Sequence, residues 1–200
     1  MRIPMILAAA AGLALSGPSL AQVVTGSTVR GAIIGAVIDG PAGDEIGRVM
    51  DLRAFDVRNG AGPAASVARV GQGMVVRLNG DSLFAASSEQ ILPEGRQALD
   101  RLSVILNGFS GGDVVIVGHT DSAGDAAASM SRSWRQAEAA KAHLVGRGVA
   151  SSRIRVEARG STEPVASNEE PAGRAQNRRL EIGVYAGEAH REAMQAQYGG

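Results

Sequence analysis

The chain contains no cysteine, so disulfides, thiolate metal sites, thiol nucleophiles and a lipidated cysteine are all excluded. Histidine is sparse: His119, His143 and His190 are scattered and form no metal-ligand cluster. Lysine is rarer still, Lys141 being the single one among 20 basic residues. Those are balanced by 20 acidic residues, which leaves a formal net charge of zero. A nucleic-acid binder would show a basic excess or stripe, and none is present. Aromatics make up 3% of the sequence while glycine occurs 27 times, a poor supply for one dense core across all 200 residues. One modest domain with Gly- and Ala-rich flanks is the expectation.

The N-terminal stretch reads as an address. Arg2 precedes an apolar run from Ile3 to Leu15, then Ser16-Gly17-Pro18 breaks it. Small residues at Ser19 and Ala21 suit a signal peptidase, so Met1–Ala21 is expected to be a secretory signal cleaved after Ala21. The run is shorter than the ~20 residues a membrane span needs. Residues 22–69 follow as a Gly-rich segment, with Gly31, Gly35, Gly40, Gly43 and Gly47 near four-residue spacing. Two readings stand side by side. One is a flexible linker; the other is a glycine zipper, in which Gly31 and Gly35 share a helix face and allow close backbone approach.

The folded domain is placed at residues 70–186. Met74–Leu78 reads as a strand, Ile91–Phe109 as a helix opened by Pro93, and Asp113–Gly118 as a strand apolar enough to be covered on both faces. Ala126–Gly146 reads as a second helix, with Met130, Trp134, Ala137, Lys141 and Leu144 as its stripe and Trp134 expected in the core. Ser152–Gly160 and Leu180–Tyr185 alternate as strands, separated by a long polar loop. This order predicts an α+β two-layer sandwich: a mixed four-stranded sheet with its helices on one face. Residues 187–200 read as a polar tail.

Chemistry concentrates in one loop. Gly118-His119-Thr120-Asp121-Ser122-Ala123-Gly124 follows the most apolar strand, where open sheets present functional groups. Taken alone, Asp121 suits an Asx-turn or helix cap equally well. A second motif, Gly173-Arg174-Ala175-Gln176-Asn177-Arg178-Arg179-Leu180-Glu181-Ile182, enters the last strand. Neighbouring strand residues face opposite sides, so one of Arg178 and Arg179 can be solvated while the other points toward a site beside Asp121. No general acid/base pair, phosphate loop or nucleophile elbow is visible, and no enzymatic activity, cofactor or metal is expected.

Together these motifs resemble the OmpA-like C-terminal domain family. The resemblance runs from about Val70 to Val184 and takes in Leu83-Phe84, Ile91-Leu92-Pro93, Ser133–Ala139 and Pro164–Asn168. It implies noncovalent binding of peptidoglycan through the diaminopimelate of the stem peptide, whose side-chain end is a zwitterion. Asp121 matches the family's ammonium-binding aspartate, and Arg178 the first arginine of its Asn-Arg-Arg motif. Thr120, Ser87 and Ser129 fall where relatives frame the pocket, Ser129 standing where Asn is usual. Gln136 occupies the position of the family's carboxylate-gripping arginine. Replacing a charge-assisted hydrogen bond with a neutral one costs on the order of 1 kcal/mol, roughly tenfold in affinity. Arg135 cannot simply substitute, because one helical residue is ~100° of rotation. Ala85 stands where many relatives carry Asp, and Arg132 replaces a usual Leu.

The expected function is a wall-binding module in the periplasm or on the periplasmic face of the outer membrane. The alternative is a degenerate OmpA-like domain serving protein–protein contact or self-association. An envelope-protein partner and a homodimer stay open in either case.

Overall fold

The computed structural model describes residues 28–60, 62 and 65–199. The expected signal peptide, Met1–Ala21, and its expected cleavage point lie outside these residues. Two helices come first, α1 (Thr28–Ile34) and α2 (Gly40–Gly60), followed by the hairpin β1 (Ala65–Val70) and β2 (Gly73–Asn79). A short helix α3 (Gly80–Leu83) leads to α4 (Pro93–Asn107), β3 (Gly112–His119) and α5 (Ala126–Gly146). Then come β4 (Ile154–Gly160), α6 (Pro171–Asn177), β5 (Arg179–Ala186) and α7 (Glu188–Tyr198).

The sheet order is β1-β2-β5-β3-β4, with β3 and β4 parallel and every other pairing antiparallel. The α+β class and the mixed sheet are as expected, and the sheet has five strands where four were expected. The extra one is β1. Its Ala-Ser-Val-Ala-Arg-Val sequence is half exposed along most of its length, so it lacks a clean apolar alternation.

Side-chain parity divides the sheet. Met74, Val76, Leu78, Val114, Ile116, Leu180, Ile182 and Val184 point into the main core with Leu99, Leu102, Leu106, Ala137 and Leu144 from the helices. Val75, Val115 and Val117 point the other way and meet Val29 and Ile33 of α1. The continuous apolar run of β3 is therefore covered on both sides. The helices are accordingly not confined to one face. α1 docks on a glycine floor: a Cβ at Gly183 would lie 2.6 Å from Val29, and one at Gly73 2.5 Å from Ile33.

The folded unit consequently begins upstream of residue 70. Ile46, Met50, Ala54 and Val57 of α2 belong to the main core, and Arg69 ties α2 to the sheet through Asp51 and the Gly47 carbonyl. Gly31 in α1 and Gly35 just after it are exposed, and a Cβ on Gly31 would meet nothing within 4 Å. Packing of Val29 and Ile33 on the sheet over Gly73 and Gly183, not contact through Gly31 and Gly35, holds this segment. Among the described residues no helix is long and apolar enough to cross a membrane.

Trp134 is also placed differently from expectation. It is 47% exposed, because the buried stripe of α5 is Ser129, Ser133, Ala137, Ala140 and Leu144. A Cβ on Gly118 would run into the Ser133 backbone, so α5 lies close on β3 through small residues. That close approach turns Met130 and Trp134 outward over Val156 and Ala158 of the edge strand β4. It also brings Arg132 and Gln136 to the wall of the cleft described next.

Candidate functional site

The carboxyl end of β3 opens into a cleft of about 570 Å³ between α3, the loop after Phe84, the start of α5 and Arg178. The β3–β4 register shifts between Gly118 and His119, so the chain bends as it leaves the sheet. Thr120 N–H then donates to the Gly160 carbonyl (2.8 Å), and the Thr120 hydroxyl donates to the Asp121 carbonyl (2.9 Å). Asp121 is held in an Asx-turn, its Oδ1 accepting from Ala123 N–H at 3.2 Å. It does not cap α5. Asp125 does, accepting from Ala128 N–H at 2.9 Å.

Arg178 closes the site from the opposite side. Its Nη1 donates to Asp121 Oδ2 at 2.5 Å, while Nε and Nη2 grip Asp81 at 2.6 and 2.7 Å in a bidentate pair. Asp81 is presented by α3, whose first N–H groups are capped by Asn79 Oδ1. The Arg178 carbonyl accepts from Gly80 N–H at 2.8 Å, so backbone and side chain are fixed together. Hydrogen bonding to Asp81, with Asp121 adding to it, raises the guanidinium pKa further above its ordinary value.

The Asn-Arg-Arg motif divides its work. Asn177 accepts from Val165 and Ala166 N–H groups and donates to Asn168, which in turn accepts from Ser122 N–H beside Asp121. Arg178 faces the cleft. Arg179 points to the other sheet face, where its Nε reaches Glu181 Oε1 at 2.9 Å and Arg77 Nη2 reaches the same oxygen at 3.0 Å. Glu181 is fully buried and Arg179 is 3% exposed. Burial pushes the Glu181 carboxyl up, but Arg179 and Arg77 outweigh it and the net shift is downward.

His119 lies next to this ionic layer, with Nε2 4.0 Å from Glu181 Oε2 and neither ring nitrogen hydrogen-bonded. Burial first, and the Arg179 charge second, push its pKa down to about 3, so the imidazole is neutral in the fold. An unfolded imidazole titrates near 6.5, so below that pH the unfolded chain takes up the proton first. His119 stabilises the fold fully above ~6.5, and this is lost as pH falls toward the folded value. Between pH 7.5 and 5 the expected loss is about 2 kcal/mol. Urea midpoints at the two pH values check it; a His119→Gln variant should lose most of the difference.

Of the residues expected at the site, Asp121, Thr120, Ser87, Gln136 and Arg178 do line one cleft. Ser129 does not: it is buried at the start of α5, against Gly160. Gln136 lines the wall, but its Nε2 donates to the Ser88 carbonyl at 2.8 Å and so ties the Ser87–Ser88 turn to α5. Ser87 has a left-handed backbone at φ 55°. Asp81 was not anticipated. The Asn79-Gly80 turn signal ahead of it marks only a strand end, and its partner Arg178 is 97 residues away.

A model of the OmpA family matches residues 83–178. The probable lipoprotein YiaD of Escherichia coli is 32% identical over 154 residues, covering 76% of this chain and 70% of that protein. The chain belongs to the OmpA family. The peptidoglycan-binding protein ArfA of Mycobacterium tuberculosis is 35% identical over 105 residues, 52% of this chain and 32% of ArfA. Among solved structures, the cell wall anchor of the type VI secretion system from Pseudomonas aeruginosa matches with a TM-score of 0.59 and 32% identity. The match covers 70% of this chain and 99% of the anchor. Asp121 and Arg178 both fall inside the segment matched by the OmpA model.

Proposed function

We propose that this OmpA-family domain binds peptidoglycan noncovalently and positions the protein at the cell wall, without enzymatic activity. The observation that carries the reading is the pairing of the Asp121 carboxylate with Arg178 in one open cleft. A diaminopimelate side chain ends in an ammonium and a carboxylate, and complementary charges held rigidly in a partly desolvated cleft recognise such a zwitterion. Asp121 takes the ammonium, its position fixed by the Ala123 N–H and by Arg178. Thr120, Ser87 and Gln136 shape the walls, and Ser129 is buried within the first turns of α5, against Gly160. ArfA and the cell wall anchor support the reading, as their names describe wall binders.

The same reading assigns the chain to the periplasm or the periplasmic face of the outer membrane, exported with cleavage after Ala21. Purified mature protein should co-sediment with diaminopimelate-type sacculi at low salt. If it stays in the supernatant, the wall-binding reading is overturned and the domain is an interaction module of another kind.

A further inference from the structure

Among the described residues, Arg178, Gln136, Arg135 and Arg132 are the cationic and amide side chains on or beside the cleft that could meet a ligand carboxylate, and three are already engaged. Arg178 is shared between Asp81 and Asp121. Gln136 spends its amide on the Ser88 carbonyl. Arg135, the residue before it on α5, is drawn away to Glu89 at 3.5 Å and Ser131 Oγ at 2.6 Å. Arg132 lines the cleft one helical turn before Gln136, on the same face of α5, and makes no hydrogen bond or ion pair with the described residues.

The charge balance points the same way. Asp81, Asp121 and Arg178 together carry one net negative charge. That suits an ammonium and repels a carboxylate. A zwitterion fits only if a further cation faces its anionic end, and Arg132 brings the cleft to neutrality.

We infer that Arg132 binds the ligand's side-chain carboxylate, the cation having moved one turn along α5 from the position that Gln136 occupies. This rests on the peptidoglycan reading and adds a specificity to it. A lysine side chain ends in an ammonium alone, so Arg132 is the residue by which this cleft prefers diaminopimelate over lysine in a stem peptide.

The test is calorimetric titration of the mature protein with two synthetic stem tripeptides, one bearing meso-diaminopimelate and one bearing lysine. Arg132→Gln should weaken the diaminopimelate peptide at least tenfold and leave the lysine peptide within about twofold, since a charge-assisted bond becomes a neutral one. Arg132 has no partner among the described residues to orphan, so the variant's melting temperature should match the wild type. The double exchange Arg132→Gln with Gln136→Arg keeps composition and charge and should recover most of the lost affinity. If wild type binds and Arg132→Gln binds equally well, or loses both peptides alike, the assignment to Arg132 is wrong while the wall-binding reading stands. If wild type binds neither peptide, the reading fails and this assignment fails with it.

Discussion

Glu181→Ala is expected to destabilise the fold by about 3–5 kcal/mol, the usual cost of removing one partner from a buried ion pair. The Glu181 side chain is inaccessible to solvent, and two guanidiniums converge on its Oε1. Without it, Arg179 and Arg77, on neighbouring strands and the same sheet face, lose the carboxylate they share. Among the described residues, Arg179 would keep as hydrogen-bond partners the carbonyls of Asn177 and Glu163. Against a typical total of 5–15 kcal/mol, such a loss is a third or more of the stability. Urea unfolding followed by circular dichroism measures it, and a loss under 1 kcal/mol would show that the pair relaxes into water. Removing Asp56 from its exposed pair with Arg53 provides the contrast and should change little. The layer also has a bearing on the cleft. Arg179 follows Arg178 directly, so loosening it frees the strand end that aims Arg178 at Asp121.

How far the sequence foretold this depends on whether a residue's partners are near in sequence. Ala126–Gly146 was legible as a helix to its ends, because its stop and its helical run are local. Its buried face was legible in part: Ala137 and Leu144 are buried as expected, whereas Met130 and Trp134 give way to Ser129 and Ser133, a preference imposed by the glycine in the strand beneath. The glycines of residues 31–47 read as loop or zipper, and they masked a real stripe of Ile46, Met50, Ala54 and Val57 on one face of α2. At the cleft, motif residues announced Asp121 and Arg178. Asp81 carries no local signal and Arg132 stood out only as a departure from a usual Leu, since one gains meaning from an arginine far along the chain and the other from what Gln136 is already doing.

Asp121→Ala should abolish sedimentation with diaminopimelate-type sacculi while leaving the fold intact. Asp121 supplies the carboxylate that would meet the ligand's ammonium, and it is only 6% exposed, so its charge is poorly screened. Truncating one member of a charge pair in a desolvated site typically costs 2–5 kcal/mol, a loss of thirtyfold to several thousandfold. Arg178 would not be stranded by the change, because Asp81 still holds it through two hydrogen bonds. The melting temperature should therefore fall far less than for Glu181→Ala. Asp121→Asn separates charge from shape. Its side-chain oxygen can still accept from Ala123 N–H and keep the turn, so any loss of binding comes from the missing negative charge. A drop of at least tenfold with an unchanged melt is the expected result. Wild-type affinity in Asp121→Asn would mean that the ammonium is held elsewhere, with Asp81 the next carboxylate on the cleft wall to replace.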